Sequence, residues 1–530
     1  PFQPNQAADF LTPPTNPALR RRGGANTPGA GGFGSVILAQ RFGENVEMLA
    51  ALTHRSEGDY RAGDGSRITG SGMSGTSGLV KGTYRFGTDN EQTLSLSLTR
   101  WLSDEDNANY SSVSNLLTSF GTVDRKAQDD TATLIWTNPA SGNPLLDSRV
   151  QLTYSRTLID QNNARNPGGL NSAIFNDARY HYTTLGLRAE NRMQFQGAGW
   201  ENYLTLGIAA SDQKRRAQHT GGTFTFHPEG SERKYGLFLQ NEFIWNEQFT
   251  AVLGLRRDRI RVTPTRDLAF AQARSNTAGV ASLALHYKIN EAWAVFGSFA
   301  QTERAPTIDE VFDVGTAAAG VARTFSLDLQ PERARTVEAG FSFGSSDLFT
   351  QGDSLDLKVT AFSNRITNKI DRRDRLIAGS TYENIARAHI RGIELEGGYD
   401  AQTLFGKFAY SRILGTDTAT GARLSSTPAD ELVLELGARA FDETLDYGWR
   451  GTFLRKASLA SGEVFPAYEV NDLFVTWRPD QGAMAGLEVQ LAVNNVFDKS
   501  YRNILNGASA NNELRRGRDF RLSVGRQFNW

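Results

Sequence analysis

Thr93-Leu94-Ser95-Leu96-Ser97-Leu98-Thr99 alternates polar and apolar side chains without a slip, as do Leu355-Asp356-Leu357-Lys358-Val359 and Leu487-Glu488-Val489-Gln490-Leu491. A period of two places the two sets on opposite faces of a β-strand. Near the C-terminus Phe520, Leu522, Val524, Phe528 and Trp530 share one face, and Arg521, Ser523, Gln527 and Asn529 occupy the other. Arg526 is the one charge out of pattern there. Runs of this kind fill the chain from residue 33 to residue 530, and 21 strands are expected, the first at 33–42 and the last at 513–530. The fold class is all-β.

In a soluble sandwich the apolar set would face a core. Here the opposite face carries Glu394, Glu396, Glu488 and Lys358 on strands of about ten residues or more, longer than soluble strands usually run. Long alternating strands suit a transmembrane antiparallel barrel, apolar toward lipid and polar toward a wet lumen. Trp101, Trp200, Trp245, Trp293, Trp449 and Trp477 are placed to form interfacial girdles.

Connections alternate between very short (43–45, 87–90, 246–248, 400–402) and long and polar (58–76, 102–128, 159–177, 213–230, 305–332). Outer-membrane barrels have short periplasmic turns and long extracellular loops, so the alternation sets topology. Bacterial single-chain barrels have even strand numbers, and 21 is odd. Counting back from a periplasmic C-terminus, strand 33–42 runs toward the periplasm. Residues 1–32, rich in Pro, Gly and Asn, are then expected as an extracellular loop remnant, with a 22nd strand supplied from upstream of Pro1 or by a partner chain.

Composition agrees. The 530 residues contain 52 Gly, 10% aromatic residues and no Cys, so disulfides and thiolate metal sites are excluded. Mean hydropathy is −0.42 and no run approaches 18 apolar residues, which excludes a membrane-spanning helix. With 57 basic against 58 acidic residues, the charge balance speaks against nucleic acid as a partner. There is no nucleophile–base pair, phosphate-binding glycine loop or metal-spaced cluster, so no enzyme activity and no intrinsic cofactor are expected.

Three stretches carry a family resemblance. Asn494-Asn495-Val496-Phe497-Asp498-Lys499-Ser500-Tyr501 with the final aromatic strand resembles the C-terminus of TonB-dependent outer-membrane receptors. Arg391-Gly392-Ile393-Glu394-Leu395-Glu396-Gly397 resembles a strand motif of their barrels. The run His54 to Gly65 (HRSEGDYRAGDG) is similar to the early barrel of the haem and haemoglobin branch. The resemblance implies a 22-strand barrel of the Gram-negative outer membrane, blocked by a plug domain through which TonB acts, that imports haem, a haemoprotein's haem or an iron chelate such as a siderophore. The expected partners are a separate or upstream segment with the plug and first strand, TonB, membrane lipid and lipopolysaccharide, and an extracellular ligand protein. A structural barrel within a larger outer-membrane assembly, no longer transporting, is the alternative.

Haem receptors carry a Phe-Arg-Ala-Pro box, a histidine, and an Asn-Pro-Asn-Leu box followed by Pro-Glu. This chain keeps Arg304, Ala305 and Pro306, then Leu329, Pro331 and Glu332, with no histidine across 307–325. Arg304, Pro306 and Pro331 are thus candidates for the ligand site by resemblance, and strand-ending geometry is their other reading. His219 and His227, in the expected 213–230 loop, can offer imidazole to haem iron, with Arg215 and Arg216 for its propionates. Solvated loop side chains are the alternative. The inward Glu394, Glu396, Glu488, Arg149 and Arg188 are expected to hydrogen-bond a plug, or water. The arginines of Asp371-Arg372-Arg373-Asp374-Arg375 are candidates for lipopolysaccharide phosphates.

Overall fold

The structure is a computed structural model that describes residues 6–11, 16–27, 29–88, 91–109, 122–165, 177–220, 222–223, 227–265, 272–314, 323–372, 379–424, 426–459, 462–506 and 514–530. Twenty-two long strands form one antiparallel sheet closed on itself. They are β1 (Ala18–Asn26), β2 (Gly31–Phe42), β3 (Val46–Glu57), β4 (Met73–Phe86), β5 (Gln92–Asn109), β6 (Thr122–Asn138), β7 (Asp147–Arg165) and β8 (Ala178–Gly197). Next come β9 (Trp200–His219), β10 (Gly230–Trp245), β11 (Phe249–Pro264), β12 (Arg274–Lys288), β13 (Trp293–Arg304), β14 (Glu332–Ser346) and β15 (Ser354–Arg372). The barrel ends with β16 (Tyr382–Asp400), β17 (Leu404–Asp417), β18 (Glu431–Ala440), β19 (Leu445–Leu454), β20 (Tyr468–Trp477), β21 (Leu487–Asn494) and β22 (Asp519–Asn529).

The strand count corrects the expected 21, and the correction lies at the N-terminus. Residues 18–26, expected as loop, form β1, which pairs with β2 from Ala18↔Ala39 to Asn26↔Gly31 and with β22 from Ala18↔Asn529 to Asn26↔Arg521. The chain closes its own barrel, so no partner strand is needed. The physical reason is that an open edge in hydrocarbon would leave ladder donors and acceptors unsatisfied, at several kcal/mol per group. That requirement outweighs the poor strand propensity of ALRRRGGAN.

The segment before β1 is also not at the long-loop end. Asn16 donates its backbone N–H to the Trp530 carbonyl at 2.9 Å and accepts from the Arg41 N–H at 2.7 Å, both at the short-turn end. From there Ala7, Phe10 and Leu11 pack on the inner wall against Ala18, Ala39 and Leu49.

The outward face is an apolar belt: Leu38, Leu52, Val80, Leu98, Leu187, Leu237, Val337 and Leu522 are each 39% exposed or more. A water-soluble fold does not leave such a continuous surface bare, whereas lipid covers it without cost. Trp200, Trp245, Trp293 and Trp477 ring the belt at the short-turn end, whereas Trp101 lies on the inner face, on the opposite side of β5 from Leu98. The inner wall is polar and cross-linked by ion pairs, among them Lys358–Glu396 at 3.0 Å and Arg478–Glu488 at 3.0 Å.

Several strands run far past the membrane. β8 and β9 have 20 residues each, about twice the 9–11 that cross a bilayer. Above the belt both faces meet water, so the ladder persists where the alternation has gone. For that reason the expected 213–230 and 102–128 loops begin as strand, up to His219 in β9 and Asn109 in β5.

Candidate functional site

At the long-loop end, the segment between β13 and β14 folds back onto the wall. A short helix, α1 (Ile308–Phe312), starts at Thr307, whose hydroxyl accepts from the Glu310 N–H while Glu310 accepts from the Thr307 N–H at 2.8 Å. This is a reciprocal capping box. Ile308, Val311 and Phe312 are buried with Val262 of β11, and Phe325 and Leu327 pack beside them. Gly230 makes the approach possible, because a Cβ there would lie 2.5 Å from the Ile308 Cδ1 and 2.3 Å from the Thr263 carbonyl oxygen.

Arg304, the last residue of β13, holds this arrangement. Its two terminal nitrogens donate to the two oxygens of Glu310 at 2.9 Å each, and its Nε donates to Glu332 at 2.7 Å. One guanidinium thus ties α1 to the start of β14. Pro306 is fully buried just after β13, and Pro331 stands immediately before β14. The far side of the segment is fixed to β16, where the Ser326 Oγ accepts from the Tyr382 N–H at 2.8 Å and Gln330 pairs with Asn384.

A second group of side chains, Tyr180 and Tyr182 of β8, Arg215 of β9 and His227, is joined to α1 through Arg215. Arg215 is 6% exposed, donates to Asp309 of α1 at 2.5 Å, and lies 5.2 Å from the centroid of the Tyr182 ring. The His227 ring meets Tyr180 edge-on at 5.1 Å. Burial pushes the His227 imidazole below its ordinary value; Asp309 opposes that shift and Arg215 reinforces it. The ring is therefore neutral at physiological pH, the form that ligates iron.

The structure brings some expected residues together and separates others. Arg215 and His219 share the inner face of β9, while Arg216 lies on the outer face and is exposed. The expectation that Arg215 and Arg216 jointly face a ligand is therefore corrected, because adjacent strand residues point to opposite faces. Arg304 and Arg215 both reach α1, so the resembling box and the histidine-bearing connection form one cluster. Arg373 to Arg375 lie outside the described residues, and Arg372 pairs with Asp313 at 3.8 Å.

The inward residues Arg149, Arg188, Glu394, Glu396 and Glu488 line the lumen, as the alternation predicts. Arg149 donates to Gln151 at 3.2 Å, and Arg188 to Glu190 at 2.6 Å. Glu488 accepts from Arg478. Nearer the short turns, Lys358, Glu396, Lys407, Glu435 and Arg450 border a recess of about 760 Å³. Sequence reasoning missed Asp309, Glu310 and Glu332 as partners of these arginines. The Thr307-x-x-Glu310 spacing was the legible signal, since it is the pattern of a capping box.

A closed 22-strand barrel with an apolar belt, a polar lumen and an in-folded segment at its long-loop mouth is the architecture of an outer-membrane receptor. The family model described as "TonB dependent receptor-like, beta-barrel" matches residues 58–496, and the chain belongs to that family. It is an outer-membrane barrel for ligand import and not an enzyme. The TonB-dependent heme receptor A of Haemophilus influenzae is 24% identical over 570 residues, covering 94% of this chain and 75% of the relative. The hemin receptor of Yersinia pestis is 26% identical over 520 residues, covering 94% and 73%. Among solved structures, the Serratia marcescens hemophore receptor HasR, in complex with its hemophore HasA and heme, superposes with a TM-score of 0.81 at 21% identity, covering 99% of this chain and 82% of that one.

Proposed function

We propose that this barrel imports haem, taken at the extracellular mouth and admitted by TonB-driven displacement of a plug that fills the lumen. The observation that carries this reading is the Arg304 clamp. It ties α1, which lies between the two resembling boxes, to the start of β14, while Arg215 holds Asp309 of the same helix to the strand that ends at His219, within the electrostatic reach of His227. The named heme and hemin receptors among its relatives support the same ligand class. His219 and His227 supply imidazole, since none lies in 307–325. Arg215 sets the position of α1 through Asp309 and is free for a propionate only when that pair opens. Arg304, Pro306 and Pro331 shape the segment that covers the ligand. Glu394, Glu396, Glu488, Arg149 and Arg188 face the plug, and an extracellular haem-carrying protein docks on the long loops.

Haemin titrated into the purified full chain should shift the Soret band, and H219A/H227A should reduce that shift at least tenfold. An unshifted Soret band alongside saturable binding of a ferric siderophore would move the assignment to a chelate.

Lipopolysaccharide is proposed as the outer-leaflet partner. Just above the belt, outward Arg335, Arg365 and Arg391 stand on the adjacent strands β14, β15 and β16, with Arg335 directly opposite Arg365. Phosphates of the surrounding lipid answer that positive row. R365Q/R391Q should lower the lipopolysaccharide that copurifies with the barrel, and an unchanged amount would remove the proposal.

A further inference from the structure

The belt has a charged exception at its short-turn end. Arg21 of β1 and Arg526 of β22 are direct cross-strand partners at the seam where the barrel closes. Both lie on the lipid face, with Leu19 and Gly23 beside Arg21 and with Val524 and Phe528 beside Arg526. Arg526 sits opposite Leu487, the first residue of β21, which places the pair in the periplasmic leaflet. Its Nη2 donates to the Ala483 carbonyl in the periplasmic turn at 2.7 Å, and its guanidinium carbon lies 4.8 Å from the centroid of the Phe528 ring. The Arg526 Nε is enclosed and has no hydrogen-bond partner. Arg21 is exposed, and neither arginine forms an ion pair among the described residues.

Like charges placed directly opposite on a sheet repel, and here they do so next to hydrocarbon. Elsewhere in the barrel wall, cations such as Arg100, Arg156 and Arg188 are paired with carboxylates. At the seam the counter-charge has to come from outside the chain.

Beside the pair a groove of about 490 Å³ runs over Gly23 and Gly34, between Val524 and His54. Gly23 opposes Gly34 in register, and a Cβ built on Gly34 would meet nothing within 4 Å. The trench is one small residue deep on both strands and opens onto lipid.

We propose that this seam is a binding site for an anionic phospholipid of the periplasmic leaflet, its phosphate bridging Arg21 and Arg526 and an acyl chain lying in the Gly23–Gly34 trench. The charge complementarity selects an anion, and the position within the belt selects a lipid rather than a soluble one. Bound there, the lipid neutralises the repulsion at the one junction that joins the two ends of the sheet.

Native mass spectrometry of the purified full chain, titrated with phosphatidylglycerol or phosphatidylcholine, tests this. The wild type should hold one phosphatidylglycerol at least tenfold more tightly than phosphatidylcholine, and inorganic phosphate should not displace it. R21Q removes an exposed side chain with no partner, so it should fold as the wild type does in heat-modifiable electrophoresis. It should lose most of the preference, and R365Q on the opposite leaflet should keep it. G34L, which fills the trench and leaves both arginines, should weaken binding of phosphatidylglycerol. Equal binding of the two lipids by the wild type, an undiminished preference in R21Q, or displacement by phosphate would each overturn the proposal.

Discussion

At the residue scale, function at the mouth depends on a few side chains whose partners are far away in sequence. Arg304 was legible as part of a box, but its hold on Glu310 and Glu332 was not, because pairing across a connection is invisible to periodicity. Its hydrogen bonds are charge-assisted yet rim-exposed, so R304Q should weaken docking of α1 by about 1 kcal/mol, roughly fivefold in opening. Limited proteolysis reads this as faster cleavage within 305–331. G230V should release the same segment by collision with Ile308, and it should also loosen the upper ends of β10 and β11, where the added side chain meets the Thr263 carbonyl. His227 adds a pH dependence. Its folded value lies below the ordinary 6.5, so the docked state binds fewer protons than the open one as pH falls below about 6.5. Docking should be complete above that pH and be lost progressively as pH falls through the depressed value. H227Q should flatten this profile of protease sensitivity, and an unchanged profile would remove His227 as its cause.

At the element scale, strands that cross the bilayer announced themselves, since lipid on one side and water on the other impose the alternation. Two kinds of strand did not. The upper halves of β5, β7 and β9 stand in water on both faces, so Asp104, Arg156 and Lys214 carry no pattern to detect. β1 crosses the membrane, but its lipid face reads Leu19, Arg21, Gly23, Ala25, and only Leu19 is a large apolar residue. An arginine on the lipid face costs about 2–4 kcal/mol at the midplane and about 0–1 near the interfaces, which is why the periplasmic end of β1 tolerates Arg21. What makes this segment a strand is the pair of edges it joins. Replacing Ala25 by Pro removes a donor from the seam ladder and should abolish the folded, heat-modifiable band, whereas A25S should preserve it.

At the scale of the whole molecule, the fold class and the alternation of short turns with long connections are readable from the chain, and parity makes the 21 expected strands one short of an even number. Counting from the C-terminus fixed β2 as running toward the periplasm, and the upward strand before it turned out to be residues 18–26. The inner wall then takes residues 7–11 at its periplasmic end, close to Gln527, which donates to the Phe10 carbonyl at 2.9 Å. One chain closes the barrel, with the mouth and the seam site at opposite ends of it.

Because the chain has no Cys, that closure is open to direct measurement. Ala25 and Leu522 are register partners across the seam. Oxidation of A25C/L522C should give an intrachain disulfide in most of the folded protein, seen by intact mass and by altered mobility. The pair A25C/L491C, separated by β22, should stay reduced. Failure of A25C/L522C to cross-link, or dimers in its place, would contradict closure of the barrel by its own first strand.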